Sequence, residues 1–136
     1  MKILALDYGT KRIGLAISDD DVGMFASALP FLENKGDKNS AQAIADRVAK
    51  EQIELLLIGM PRNMDGSYGE SAEKVKNFIN LLKSVTSVTI KTVDERLSTV
   101  EASKRLRESG IKAKDQRDKI DSMSAKILLQ SYLDFQ

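Results

Sequence analysis

The sequence predicts an α/β protein built on one mixed five-stranded sheet with helices on its faces, and three observations carry that reading. Ile3–Leu6 is a continuous apolar run, as a central strand covered on both faces requires. It opens a series of three strand-like segments joined by short turn-rich connections, which fits an antiparallel meander. From Ala41 onward strand and helix patterns alternate, and that order demands parallel pairing through crossover helices.

Each element has its own justification. The second strand, Ile13–Ile17, follows the first across "YGTKR", a connection of hairpin length containing Gly9. A third strand is expected between Val22 and Leu32, after "SDDD". Ala41, Ile44, Ala45 and Val48 recur at helical spacing and predict a helix over 41–52 with Ser40 as its N-cap. "LLLIG", Leu55–Gly59, is another short apolar strand, stopped by Pro61. The Gly-, Asn-, Asp- and Ser-rich "PRNMDGSYGES" reads as a loop over the sheet. A helix over about 70–84 buries Ala72, Val75, Phe78, Ile79 and Leu82. "SVTIKTVDE" is a β-branched strand ending at Asp94 and Glu95. Two further helices, over 99–109 and about 120–135, flank the polar segment "GIKAKDQRDK". The mobile pieces are expected at 62–69 and 110–119.

Composition limits the chemistry. A chain of 136 residues with 42% hydrophobic content is long enough for one core, so a single domain spanning 1–136 is the default. The 21 basic and 20 acidic residues nearly cancel, so attraction to nucleic acid must come from local patches. With no cysteine and no histidine, disulfides, Cys/His zinc sites, thiol nucleophiles and histidine bases are excluded. No run approaches the ~18 residues of a membrane span and the start does not read as a signal peptide, which predicts a cytoplasmic protein with no membrane partner.

Three acids stand out. Along the first strand Ile3, Ala5 and Asp7 share one face, so Asp7 continues an inward row. A carboxylate there costs several kcal/mol in order of magnitude unless turn amides or a cation meet it. Asp94 and Glu95 end the last strand, where ligands gather in open α/β sheets, and alternation does not choose between them if the strand frays there. Asp121 points with Ala125, Leu128 and Tyr132 along the apolar stripe of the final helix; it is either a first-turn acid behind an Asp118 N-cap or part of a site. If the three converge, their repulsion calls for a divalent cation, and an all-oxygen set selects Mg²⁺ or Mn²⁺. Such sites hydrolyse phosphodiesters without histidine. Lys11, Arg12, Arg62 and Arg96 are placed to seat phosphates without reading sequence, and the Gly9–Thr10 turn lets backbone approach one. Lys104 and Lys114 read as a solvated face, and the acids of "SDDD" as a solvent-exposed turn.

These residues carry a resemblance. "ALDYGTKRIGLAIS", "LLIGMPRNMDGSYGE", "VDERLSTVEA" and "DSMSAKILLQSYL", in this order over the whole chain, are similar to the YqgF or RuvX family, whose members are described as nucleases in maturation of the 5′ end of pre-16S ribosomal RNA and as Holliday junction resolvases. The resemblance implies an RNase H-like fold with sheet order 3-2-1-4-5 and strand 2 antiparallel. It further implies a metal-dependent nuclease using Asp7, Glu95 and Asp121, with Asp94 in reserve. Precursor rRNA is the first expected substrate and junction DNA the second, for a monomer or a homodimer. Two rivals remain at this stage: a non-catalytic RNA-binding or ribosome-assembly module on the same fold, and an ATP-binding domain of the sugar-kinase and actin type, whose phosphate hairpin "DYGTKRIG" also resembles but which needs two such domains.

Overall fold

A computed structural model describes residues 1–19, 25–61, 69–94 and 113–134, with side chains of the last segment described from Met123 onward. The elements are β1 (Lys2–Asp7), β2 (Arg12–Asp19), β3 (Ser27–Glu33), α1 (Asp37–Glu51), β4 (Leu55–Met60), α2 (Glu70–Val85), β5 (Thr89–Asp94) and α3 (Ala113–Asp134). The five strands form one sheet in the order β3-β2-β1-β4-β5. The first three pair antiparallel, while β4 lies parallel to β1 and β5 parallel to β4. That is the RNase H-like arrangement expected from the sequence.

Strand periodicity divides the core in two. Leu4, Leu6, Ile13, Leu15, Leu56, Ile58 and Met60 face α1 and α2, meeting Ala41, Ile44, Val48, Ala72, Val75, Phe78, Ile79 and Leu82. Ile3, Ala5, Ala16, Leu55 and Leu57 face α3 and meet Ala125, Leu128, Leu129 and Leu133. β4 is buried at every position, as a parallel strand covered on both faces must be. The α2 residues picked out by helical spacing are those the helix buries.

Several boundaries differ from expectation. α1 starts at Asp37, four residues before Ala41, and its N-cap is Gly36 at φ 122°, a conformation that favours glycine. Ser40 is therefore not the cap; it is buried in the first turn, and its hydroxyl donates to Asn34 Oδ1 at 2.8 Å. The first-turn residues are polar and gave no periodic signal. β3 begins at Ser27, later than Val22. α3 begins at Ala113, so most of the segment expected to be mobile is helical and Asp118 lies inside the helix, not at its cap. Lys114, Gln116 and Arg117 are good helix formers by intrinsic propensity, with no apolar period needed. Ser18 of "SDDD" is a buried β2 residue whose hydroxyl has no hydrogen-bond partner, and Asp19 closes the strand. The expected helix over 99–109 and the loop over 62–68 lie outside the described residues.

Leu129, fully buried between α3 and the sheet, measures how firmly that helix is held. Leu129→Ala is expected to cost about 2–5 kcal/mol, read as a lower midpoint in urea unfolding.

Candidate active site at the end of the central strand

Asp7 is the last residue of β1, half-buried, on the α3 face with Ile3 and Ala5. Across the antiparallel ladder it faces Gly14. On the parallel side Leu6 pairs with Ile58, so the same register brings Gly59 beside Asp7. Both cross-strand neighbours of Asp7 are thus glycines and put no side chain beside its carboxylate.

The other acids divide by face. The β4–β5 ladder continues through Gly59–Val93 and Met60–Asp94, so β5 does not fray before Asp94. Met60 belongs to the α1/α2 core, whereas Val93 packs against the α3 cluster. Asp94 is therefore on the face opposite Asp7. Glu95 and Arg96 lie outside the described residues, as does Arg62. Asp121 lies within α3, more than a turn beyond Ala113, which removes the first-turn reading; its side chain is outside the described set.

Two polar contacts tie α3 to the sheet. The Ala26 amide donates to Gln130 Oε1 at 2.9 Å, and the Lys91 ammonium of β5 donates to the Tyr132 hydroxyl at 3.3 Å. Ala125, Leu128, Leu129 and Leu133 pack on the sheet face of Ile3 and Ala5. The helix is placed by the face it covers, the one that Asp7 shares. Among the described residues no three acids come together.

The turn after Asp7 is closely built. A Cβ on Gly9 would collide with the Arg12 backbone carbonyl, so only glycine fits. Thr10 and Lys11 are exposed. The Arg12 guanidinium lies over the Phe31 ring, 5.3 Å from its centroid, a cation–π contact that limits its freedom. Behind the turn, Tyr8 stacks on Phe78 with centroids 4.8 Å apart and donates its hydroxyl to Asp37 Oδ1 at 2.6 Å. Burial, then the hydrogen bond to Asp37 and its negative charge, push the Tyr8 hydroxyl up to about 12, against a smaller opposing effect of Asn34. Sequence reasoning missed Asn34, Asp37 and Phe31. Their partners are distant in the chain, and only the turn-like "ENKGD" hinted at a role.

A mixed 3-2-1-4-5 sheet with β2 antiparallel and an aspartate closing its central strand is the RNase H-like arrangement, and its relatives place the chain among the nucleases of that class. Solved structures share the fold. Thermus thermophilus RuvC in complex with a Holliday junction substrate matches with TM-score 0.62 at 12% identity, over 99% of this chain and 96% of that one. Fowlpox virus resolvase with Holliday junction DNA matches at 0.57 and 14% identity, over 99% and 98%. The family model RuvX, described as Holliday junction resolvase, matches residues 1–135, and the chain belongs to that family. A Halothermothrix orenii relative named "Putative pre-16S rRNA nuclease" is 42% identical over 100% of this chain and 96% of its own length. A protein of the same name from Clostridium kluyveri is 37% identical over 98% and 97%.

Two predictions test the turn. Gly9→Ala is expected to destabilise by about 1–3 kcal/mol, because backbone must move to admit the methyl group; differential scanning calorimetry reads it as a lower Tm. The Tyr8 pKa is raised above its ordinary value of 10.0, so the stability it contributes is complete below pH 10 and is lost as pH rises through about 12. Tyr8→Phe should flatten that alkaline loss in unfolding curves recorded across this window.

Proposed function

We propose that the chain is a metal-dependent nuclease in maturation of the 5′ end of pre-16S rRNA, a single domain over 1–136 that works in the cytoplasm as a monomer or homodimer. The observation that carries this reading is Asp7, half-buried at the end of the central strand between Gly14 and Gly59, on the sheet face that α3 covers. Asp7, Glu95 and Asp121 are the acids that act, and Asp94 drops from the set because it occupies the other face.

The donors fit Mg²⁺ or Mn²⁺: the set is all oxygen, and the glycines at 14 and 59 add no competing side chain beside Asp7. When bound, such an ion activates water and stabilises the leaving oxygen of a phosphodiester. The chain's own part is to hold that centre and the substrate backbone. Lys11 and Arg12, with Gly9 and Thr10 between strand and turn, seat one phosphate beside Asp7; Arg62 and Arg96 seat its neighbours. The names of the relatives support RNA as substrate. Junction DNA is the second reading, favoured by the family description and by two neighbours solved with junctions. Among the described residues no helix is long and apolar enough to cross a membrane.

The test is cleavage of a precursor 16S 5′-leader RNA and of a synthetic four-way DNA junction with Mn²⁺ or Mg²⁺. Wild type is expected to cut the RNA in preference to the junction. Asp7→Asn is expected to lose roughly 10³-fold in rate, the several kcal/mol that a correctly held ion supplies, while its metal-free Tm stays unchanged or rises. Preferred junction cutting would shift the assignment to resolvase. Intact activity in Asp7→Asn would remove the site, and binding without cutting by wild type would favour the ribosome-assembly module.

A further inference from the structure

Asn34 uses every hydrogen-bonding position of its side chain. Its Nδ2 donates to the Gly9 carbonyl at 3.0 Å and to Asp37 Oδ1 at 3.1 Å. Its Oδ1 accepts from the Gly36 amide at 3.2 Å and from the Ser40 hydroxyl at 2.8 Å. Its backbone amide donates to the Lys11 carbonyl at 2.9 Å. One residue at the end of β3 therefore grips the turn after Asp7 on both sides, through the carbonyls of residues 9 and 11, and ties it to the first turn of α1. Asp37, itself held by the Tyr8 hydroxyl, fixes the amide from behind.

The grip has a directional consequence. A trans peptide unit is planar, with its carbonyl and amide pointing opposite ways, and the chain has no cis peptide bond among the described residues. With the Gly9 carbonyl drawn toward Asn34, the amide of Thr10 in the same unit points the other way, out of the exposed tip of the turn. An outward backbone amide flanked by a lysine is suited to a phosphate oxygen.

We propose that Asn34 is a positioning residue for substrate: it orients the 9–11 turn so that the Thr10 amide and the Lys11 side chain meet a phosphate of the nucleic acid cut at Asp7. This rests on the nuclease reading above and adds a residue to it. Asn34 touches no substrate; it acts through the peptide unit it holds.

Two variants of the full chain separate positioning from mere stability. Asn34→Ala removes all the side-chain bonds. Asn34→Asp keeps an acceptor for the Gly36 amide and the Ser40 hydroxyl but loses the donor to Gly9. Both are expected to raise KM for the RNA about tenfold with kcat within about twofold, the pattern of lost binding common to ground and transition states. In the Asp7→Asn background, which leaves RNA uncut, the Thr10 amide resonance should shift on adding a ribo-oligonucleotide, and this shift should vanish when Asn34→Asp is added. Unchanged KM and an unchanged Thr10 shift in folded Asn34→Asp protein, whatever its Tm, would overturn the proposal while the nuclease reading stood. If wild type itself neither cuts nor binds RNA or junction DNA, the nuclease reading has failed and the positioning role falls with it.

Discussion

The period-two alternation of β1 is the constraint on which the rest of the structure depends. β1 lies at the centre of the sheet between β2 and β4, and its residues 3 to 6 are wholly buried. A slip of one residue would exchange Leu4 and Leu6 for Ile3 and Ala5, sending large side chains into the face fitted to Ala16, Ala125 and α3. The two faces take different volumes, so the register has one solution. With it, the side to which Asp7 points is decided before any chemistry is considered.

At the strand end the two faces part company in adjacent residues. Asp7 goes to the α3 side, where its strand neighbours Gly14 and Gly59 carry no side chain. Tyr8 goes to the α1/α2 side, where Phe78 and Asp37 hold it. An aromatic pair of this kind contributes about 0.5–1.5 kcal/mol beyond burial, and a hydrogen bond to a carboxylate about 1.5–3 kcal/mol. These magnitudes suffice to fix one residue and the turn that follows it. One side of the sheet thereby sets the backbone that the other presents, and Asn34 extends the same hold to residues 9 and 11.

Much of this was legible in the residues. Apolar runs and alternating segments identified every strand, and the buried stripe of α2 was read without error because a 3.6-residue period is intrinsic to the helix. Helix starts were not legible where the first turns are polar: Asp37–Ser40 and Ala113–Lys119 contain too few apolar residues to show a period. Asp7 could be singled out because a carboxylate interrupts an apolar row. Asn34 could not, since asparagine is common in turns and its partners Gly9 and Lys11 are remote in the chain. Alternation alone also left Asp94 and Glu95 open, because it does not say where a strand stops pairing.

The sequence by itself determined the sheet's composition, its mixed pairing and the family, all of which rest on local period, local chemistry and the order of motifs. Only the tertiary structure decided which faces Asp7 and Asp94 serve, that β5 stays in register through Asp94, and that a single asparagine holds the turn beside Asp7. Those properties depend on register between strands and on contacts between residues far apart in the chain, and neither is encoded in any one segment.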